Sequence, residues 1–250
     1  MTRFEIVAHR GITGGAPENT LPAFLSAVEL GADAIELDVR LTADRVPVVY
    51  HYYYLDQHTD AAGAVFDRTY EQLQAVRVRG ESGIDGRGEK IPALTEVLAA
   101  LGGRIGLEIE IKGPEPEAPA IIAEVLRRYP SIWETIEITS YEPALLLSVR
   151  EHCPGLTVDL LYPRSEAWMK PDVVAYEAVQ RARLARARAV HLHPSQLSEE
   201  TVAAVRAHGI DIHAWEVNDL PALETALALG IPRICTDRFQ QAWEFRRRIV

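Results

Sequence analysis

The sequence contains little cysteine, and the positions of its two cysteines exclude several classes of protein. Cys153 and Cys235 are the only cysteines among 250 residues, and they lie far apart in the chain. They form neither a C-x-x-C pair nor a zinc-binding spacing, which excludes a disulfide framework and a zinc ribbon. We expect both to be buried, reduced thiols.

Long apolar runs are also missing. No run approaches the roughly 20 residues that span a bilayer, so we expect no membrane insertion. The apolar stretch near the start is short and contains Glu5, unlike the core of a signal peptide. We therefore expect a cytoplasmic protein.

Positive charge is scarce. The formal net charge is -10, and the only lysines are Lys90, Lys112 and Lys170. A broad electrostatic grip on nucleic acid needs a basic face, so we expect no nucleic-acid partner. An anionic small molecule remains compatible, since a metal ion or an arginine can reverse the local potential within one cleft.

A dinucleotide-binding G-x-G-x-x-G segment is absent after the first apolar run, and the rest of the pattern favours a barrel. Eight short apolar runs, most of them followed by a helical pattern, predict parallel strands joined by helices. The predicted strands are residues 4–8, 34–41, 105–111, 136–139, 156–161, 189–192, 212–217 and 233–236, with 47–50 extending or following the second. The predicted helices are residues 21–30, 116–129, 143–151, 171–188, 198–208, 221–229 and 240–249. This order indicates a (β/α)8 TIM barrel that residues 1–250 form as a single domain, with a doubly wound open sheet as the alternative.

Residues 52–91 interrupt this alternation. The segment is long and polar, contains five glycines (63, 80, 83, 86 and 88) and has one helical pattern, at residues 70–76. Loops of this length in compact domains are usually functional or disordered. We interpret the segment as an insertion over the barrel mouth, and a surface excursion is the alternative.

Carboxylates gather where the predicted strands end, which is where the active sites of such barrels lie. Glu36 and Asp38 point to the same side of the second strand, because alternate residues lie about 6.6 Å apart on one face. Glu108 and Glu110 do likewise on the next parallel strand. Carboxylates that converge in one low-dielectric mouth are costly without a counter-charge. Their oxygen ligands predict bound Mg²⁺ or Ca²⁺.

Histidines and cations stand at other strand ends. His9 and His51 are candidates for acid–base catalysis, since imidazole titrates nearest neutral pH. Arg10 and Lys112 suit a bound oxyanion, and with a metal they indicate phosphoryl transfer. The alternative is that the acids form buried ion pairs with Arg10, Arg40 or Lys112. We expect the other histidines to be mostly structural, with His193 a weaker candidate for lining the site: His58, His152, His191, His193, His208 and His213.

Several motifs together resemble the glycerophosphodiester phosphodiesterase family. They are Ala8-His9-Arg10-Gly11, Ala16-Pro17-Glu18-Asn19-Thr20, Glu36-Leu37-Asp38-Val39, Pro47-Val48-Val49-Tyr50-His51, Leu55-Asp56, Glu108-Ile109-Glu110-Ile111-Lys112, Ser140-Tyr141, Trp215-Glu216-Val217-Asn218-Asp219 and Thr236-Asp237-Arg238. The resemblance spans essentially the whole chain. It implies a (β/α)8 barrel with a small insertion after the second strand and a divalent metal, commonly Ca²⁺ or Mg²⁺.

The resemblance also implies a role for individual residues. It places the metal ligands on Glu36, Asp38 and Glu110, and the catalytic pair on His9 and His51. It places phosphate-contacting cations on Arg10 and Lys112 and a barrel-mouth aromatic on Trp215. Glu18 and Asn19 either brace the site or begin the following helix.

Two positions depart from the family pattern. Tyr52 stands where the family usually has Asp after the second histidine, which bears on rate, metal preference or substrate. Glu108 stands where the family often has Asn, and it would bind a second ion, hold water or pair with a base. The run Tyr52-Tyr53-Tyr54 either offers aromatic faces to a cationic head group such as choline or packs on the barrel rim.

The resemblance implies a metal-dependent phosphodiesterase that cleaves small glycerophosphodiesters to sn-glycerol 3-phosphate and an alcohol. Either water or the glycerol 2-hydroxyl would attack, and either histidine would be the acid. One alternative is a phospholipase-like lyase that stops at a cyclic phosphate. The other is a catalytically weak barrel that binds a phosphodiester. The acidic surface is compatible with a monomer and with a homodimer.

Overall fold

A computed structural model describes residues 4–79 and 88–249 and contains one closed parallel barrel. Eight parallel strands follow one another around it, and β1 closes the ring by pairing with β2 on one side and β9 on the other. The strands are β1 (Glu5–His9), β2 (Ala34–Leu41), β3 (Pro47–Val49), β4 (Gly106–Ile111), β5 (Ile136–Ser140), β6 (Thr157–Leu161), β7 (Ala189–Leu192), β8 (Asp211–Ala214) and β9 (Arg233–Thr236). The predicted TIM barrel is confirmed, and the open sheet is wrong. The short β3 stands outside the ring because it pairs antiparallel with β2 alone among the strands described.

The helices are α1 (Leu21–Glu29), α2 (Tyr70–Leu73), α3 (Leu94–Leu101), α4 (Ala118–Leu126), α5 (Pro143–His152), α6 (Pro171–Ala185), α7 (Glu199–Arg206), α8 (Leu220–Ala228) and α9 (Phe239–Ile249). Every helix that the sequence predicts is present, and α3 is additional. None of the helices in the described ranges is long and apolar enough to cross a membrane.

Three elements differ from the prediction. The sequence pattern does not predict α3, because this helix has no polar N-cap residue. It begins instead where the Glu96 carboxylate accepts the Ala93 N–H at 2.8 Å. The helix predicted at 70–76 ends at Leu73. The strand predicted to run to residue 217 ends at Ala214, because Glu216 has a positive φ of 55° that extended backbone does not allow.

Successive side chains of a strand point alternately into an apolar layer beneath the helices and into a polar barrel interior. Ile35 and Leu37 of β2 belong to the apolar layer between strands and helices. Glu36 and Asp38 alternate with them and are also buried, so they point into the barrel. Bulky aliphatic residues usually fill a TIM barrel's interior, and in this protein acids, histidines and arginines occupy much of it.

The segment after β3 has a small core of its own. Two 3₁₀ turns, Leu55–Gln57 and Val65–Asp67, lie in it. Val48 of β3 packs in this core with the segment's own buried apolar residues: Tyr50, Leu55, Val65, Leu73, Val76, Val78 and Ile91. His58 and Arg79 of this segment line a cavity together with His9 of β1. The glycines at 80, 83 and 86, used in predicting the insertion, lie outside the described residues.

Candidate active site

Three carboxylates meet at the C-terminal ends of two paired strands. Glu36 and Asp38 lie on β2, and Glu110 lies beside Asp38 on β4. All three are buried, and one oxygen from each lies within 4.8 Å of the others. Within the described ranges, Glu36 Oε1 and Asp38 Oδ1 are buried without a hydrogen-bond partner. Unsatisfied carboxylate oxygens of this kind fit a hard divalent cation.

Two cations lie against the carboxylates. Arg10 Nε is 3.2 Å from Asp38 Oδ2, and the Arg10 backbone N–H donates to Glu36 Oε2 at 3.1 Å. Lys112 Nζ is 2.9 Å from Glu110 Oε1 and 3.5 Å from Asp38 Oδ1. The ion-pair alternative therefore holds in part. It does not hold for Arg40, whose Nε–H donates to the His51 carbonyl oxygen at 2.9 Å.

This environment raises the pKa of two of the three carboxyl groups and lowers the pKa of the third. Burial, reinforced by the Asp38 charge, raises the pKa of Glu36 well above its ordinary value. Burial also raises the pKa of Glu110 to about 7, although the Lys112 charge opposes the rise. Burial opposes ionisation of Asp38 too, but the charges of Lys112 and Arg10 hold its pKa well below the ordinary value. The ionised forms of Glu36 and Glu110 are thus poorly stabilised in this site, and a divalent cation would stabilise them.

His9 is held by a carboxylate from the last strand's end. Its Nδ1 lies 2.5 Å from Asp237 Oδ1, and its Nε2 lies 3.7 Å from Glu36 Oε2. Burial opposes protonation of His9, but the Asp237 hydrogen bond and the Glu36 charge outweigh it and raise the pKa to about 9. His9 is therefore an imidazolium at neutral pH in this arrangement.

His51 has the opposite surroundings. Burial and the charges of Lys112 and Arg10 lower its pKa to about 3, against the opposing effect of Asp38. Its Nδ1 is buried and has no hydrogen-bond partner among residues 4–79 and 88–249. The Tyr52 ring meets the His51 ring edge to face at 4.6 Å. His51 is therefore neutral at physiological pH.

Tyr52 joins the site to the segment after β3. Its ring stacks on His58 with centroids 4.3 Å apart and an interplanar angle of 8°. The neighbouring Tyr53 lies under the Arg40 guanidinium, whose carbon is 3.8 Å from the ring centroid. Both tyrosines thus pack on the rim and line a cavity that Lys112 and Glu110 also line.

The loop after β1 braces the carboxylates. Asn19 Nδ2 donates to Asp38 Oδ2 at 2.7 Å, and the Asp38 N–H donates to Asn19 Oδ1 at 3.2 Å. Glu18 accepts from Arg10 Nη1 at 3.2 Å. These contacts agree with the bracing interpretation rather than helix capping alone.

The remaining candidates divide into two groups. Trp215 lies at the mouth, with Tyr141 at 6.2 Å and His193 at 5.4 Å between ring centroids. Glu108 points deeper into the barrel, where its Oε1 is 3.4 Å from His191 Nδ1 and its Oε2 is 3.8 Å from Arg233 Nε. Glu108 therefore pairs with bases and is not part of the three-carboxylate cluster.

Sequence reasoning did not assign site roles to Asp237 or Tyr141. Asp237 directly follows β9, as the other polar residues follow their strands, and this position was an available signal. Tyr141 follows β5 in the same way, and Lys112 Nζ lies 5.9 Å from its ring centroid. Their contacts with residues distant in sequence emerge only when the barrel closes.

Three cavities connect these groups to solvent. A central cavity of about 220 Å³ is lined by both histidines, both cations and two of the carboxylates. A cavity of about 660 Å³ lies on the Lys112 and Tyr53 side. One of about 450 Å³ lies on the Glu18 and Asp237 side. The central cavity shares Lys112 with the larger of these and His9 with the smaller, so both adjoin it.

Comparison with known proteins places the chain among related sequences and structures. The sequence model of the glycerophosphoryl diester phosphodiesterase family matches residues 9–241 of the chain. A glycerophosphodiester phosphodiesterase of Caldanaerobacter subterraneus subsp. tengcongensis is 33% identical, with 93% of each chain covered. YhdW of Bacillus subtilis (strain 168) is 34% identical, also with 93% of each chain covered.

A solved structure resembles the fold throughout. It is an Oleispira antarctica phosphodiesterase in complex with the product sn-glycerol-3-phosphate. The TM-score is 0.82 at 26% sequence identity, with 96% of each chain covered.

Proposed function

The chain belongs to the glycerophosphoryl diester phosphodiesterase family, and from this premise we propose that it hydrolyses glycerophosphodiesters to sn-glycerol 3-phosphate and an alcohol. One observation carries the proposal. His9, His51, Arg10 and Lys112 line the same central cavity as Glu36 and Glu110 of the carboxylate cluster. These components suit phosphoryl transfer, because its catalysis consists mainly of positioning and charge stabilisation, and the histidines add acid–base groups.

We assign the acid role to His9 and the base role to His51. The Asp237 carboxylate at 2.5 Å favours a proton on each nitrogen of His9, so its Nε2–H is available to the leaving alkoxide. His51 lies near the positive charges of Lys112 and Arg10, which disfavour a further positive charge on its ring. Its neutral imidazole can therefore accept the attacking group's proton. If water attacks, one proton passes to His51 and one leaves His9 as the P–O bond to the alcohol breaks.

Arg10 and Lys112 would hold the phosphate oxygens in this cavity. Glu36, Asp38 and Glu110 would hold a Ca²⁺ or Mg²⁺ ion, which would supply further positive charge to the phosphate in the transition state. Trp215 and Tyr141 would border the substrate and exclude water from one side. Residues 1–250 are proposed to form a single catalytic domain, and the cytoplasmic location stays a prediction.

The decisive experiment measures glycerol 3-phosphate release from glycerophosphocholine and glycerophosphoethanolamine. Metal-stripped protein is assayed with Ca²⁺, Mg²⁺ or Mn²⁺ added back and with a chelator. We expect metal-dependent release. His9→Ala and His51→Ala should each lower kcat by about 10²–10⁴-fold.

The matched control is His152→Ala, since His152 is exposed at the end of α5. It should retain wild-type kcat. A nearly unchanged kcat in His51→Ala would refute its assignment as base. Phosphorus NMR identifies the product, and a cyclic phosphate as the final product would favour the lyase alternative.

A further inference from the structure

A second group of buried polar side chains lies deeper in the barrel than the three-carboxylate cluster. Four consecutive strands, β5 to β8, each contribute one member: Glu137, Asp159, His191 and His213. Their exposed fractions are 7%, 0%, 1% and 6%. None of the four lines the central cavity, and the proposed hydrolysis does not use them. We call this group the core quartet.

The donor atoms of the core quartet stand at ligand spacing. His191 Nε2 and His213 Nδ1 are joined by a hydrogen bond of 3.1 Å, which an ion bound by both nitrogens would replace. Asp159 Oδ2 lies 3.6 Å from the first and 3.8 Å from the second. In a tetrahedral site with metal bonds of about 2.0–2.1 Å, ligand atoms are roughly 3.3 Å apart. The three atoms therefore approximate one face of such a site, and Glu137 offers an oxygen within 4.8 Å of all three.

The surroundings of His191 give an independent indication. Within the part of the chain that the structure describes, His191 Nδ1 is buried without a hydrogen-bond partner, and Glu137 Oε2 has an ion-pair contact with Arg233 Nη2 at 3.3 Å in place of a hydrogen bond. His191 Nδ1 faces Glu108 Oε1 at 3.4 Å. A proton on Nδ1 would face that carboxylate and leave the Nε2 lone pair directed at His213 and Asp159. Metal-binding histidines are commonly oriented by a carboxylate in this way.

Charge around the core quartet is also incompletely balanced. Glu108, Glu137 and Asp159 face the guanidinium groups of Arg188 and Arg233. With neutral imidazoles, three negative charges meet two positive ones. Buried charge of this kind is costly unless it is paired. A proton on one imidazole would balance these charges, whereas a divalent cation would balance them together with the Glu5 carboxylate, which also contacts Arg233 at 2.6 Å. These are the two competing occupants.

We propose that the core quartet binds one divalent transition-metal ion of the zinc type. Two imidazole nitrogens and carboxylate oxygens favour Zn²⁺ over Mg²⁺ or Ca²⁺, which prefer oxygen ligands alone. All four ligands come from the protein, as in structural zinc sites. The ion would tie four neighbouring strands together and would be distinct from the hard cation at Glu36, Asp38 and Glu110.

The test measures metal content and stability rather than activity. The protein is unfolded, stripped of metal, and refolded with Zn²⁺, with Co²⁺ or with chelator, because the buried site would load during folding. We expect one tightly held Zn²⁺ per chain by mass spectrometry of metals. We also expect a visible absorption band of tetrahedral Co²⁺ and a higher Tm with Zn²⁺ than with chelator.

Three variants distinguish the site from other sources of zinc binding. His213→Gln should lose the bound ion and the Tm difference. Glu36→Gln, in the other cluster, and His208→Gln, on the exposed end of α7, should retain both. Zinc content equal to wild type in His213→Gln would overturn the proposal.

The wild-type measurement decides the matter if the variant does not fold. Refolded wild-type chains that contain less than about a tenth of an equivalent of Zn²⁺, with no Co²⁺ band, would leave a proton as the occupant. Because no readout depends on turnover, failure of this proposal would not touch the proposed hydrolysis.

Discussion

Asp237 gives the two active-site histidines different chemical characters. It hydrogen-bonds His9 at 2.5 Å and is itself held by Asn218, whose Nδ2–H donates to Asp237 Oδ2 at 2.6 Å. His51 has no comparable carboxylate partner among the described residues and lies near two cations. Two imidazoles of equal intrinsic pKa thus differ in protonation, with His9 held protonated and His51 neutral.

The Asp237→Asn substitution tests this difference. In metal-free protein the pKa of His9 should fall from about 9 toward its ordinary value of 6.5, because a charged acceptor is lost. The raised pKa stabilises the fold fully below about pH 6.5, and the effect is lost as pH rises through about 9. NMR titration of the histidines and denaturation at several pH values would measure both effects.

A control for Asp237→Asn is Asp211→Asn, an exposed acid at the start of β8. It should leave the His9 titration unchanged. An unaltered His9 pKa in Asp237→Asn would show that the hydrogen bond does not set the protonation state.

At the scale of elements, each strand delivers functional groups through its end and the loop that follows. β8 ends at Ala214, and the chain then turns through Trp215 and Glu216 before α8 begins. The Asp219 side chain accepts the Ala222 N–H at 2.8 Å and caps α8. The cap lies next to Asn218, so the start of the helix and the support of Asp237 are linked.

Removal of this cap should weaken α8. We expect Asp219→Ala to lower the free energy of unfolding by about 0.5–2 kcal/mol, because an N-terminal backbone donor loses its acceptor. Urea denaturation measures the change. Glu224→Ala, an exposed position on the same helix, should change it by less than about 0.5 kcal/mol. Equal effects would mean that the cap contributes nothing specific.

At the scale of the molecule, the barrel buries three carboxyl groups together at its mouth, and the ionised forms of Glu36 and Glu110 are poorly stabilised there without a cation. A hard cation that binds the folded state there stabilises it by mass action, by about 2.7 kcal/mol when its concentration is 100 times Kd. We therefore expect Ca²⁺ or Mg²⁺ to raise Tm in a concentration-dependent way. Glu36→Gln should reduce the increase strongly. An increase of the same size with Na⁺ at matched ionic strength would contradict a specific site.

The sequence by itself determined the barrel and the composition of the mouth. Alternation within β2 and β4 places Glu36, Asp38 and Glu110 on one face, and parallel strands bring their C-terminal ends together. These relations are local or follow from the repeating topology, so they can be inferred from spacing. The same local signals were too weak to predict α3. The side chain that caps its start belongs to Glu96, which lies inside the helix and not before it.

Only the tertiary structure decided how those residues differ from one another. Asp237 reaches His9 across 228 positions of sequence because β1 closes on β9. Glu108 looks equivalent to Glu110 in the sequence, yet it faces His191 and Arg233 deeper in the barrel. Burial and long-range charge set protonation and pairing, and both depend on which strands become neighbours when the ring closes.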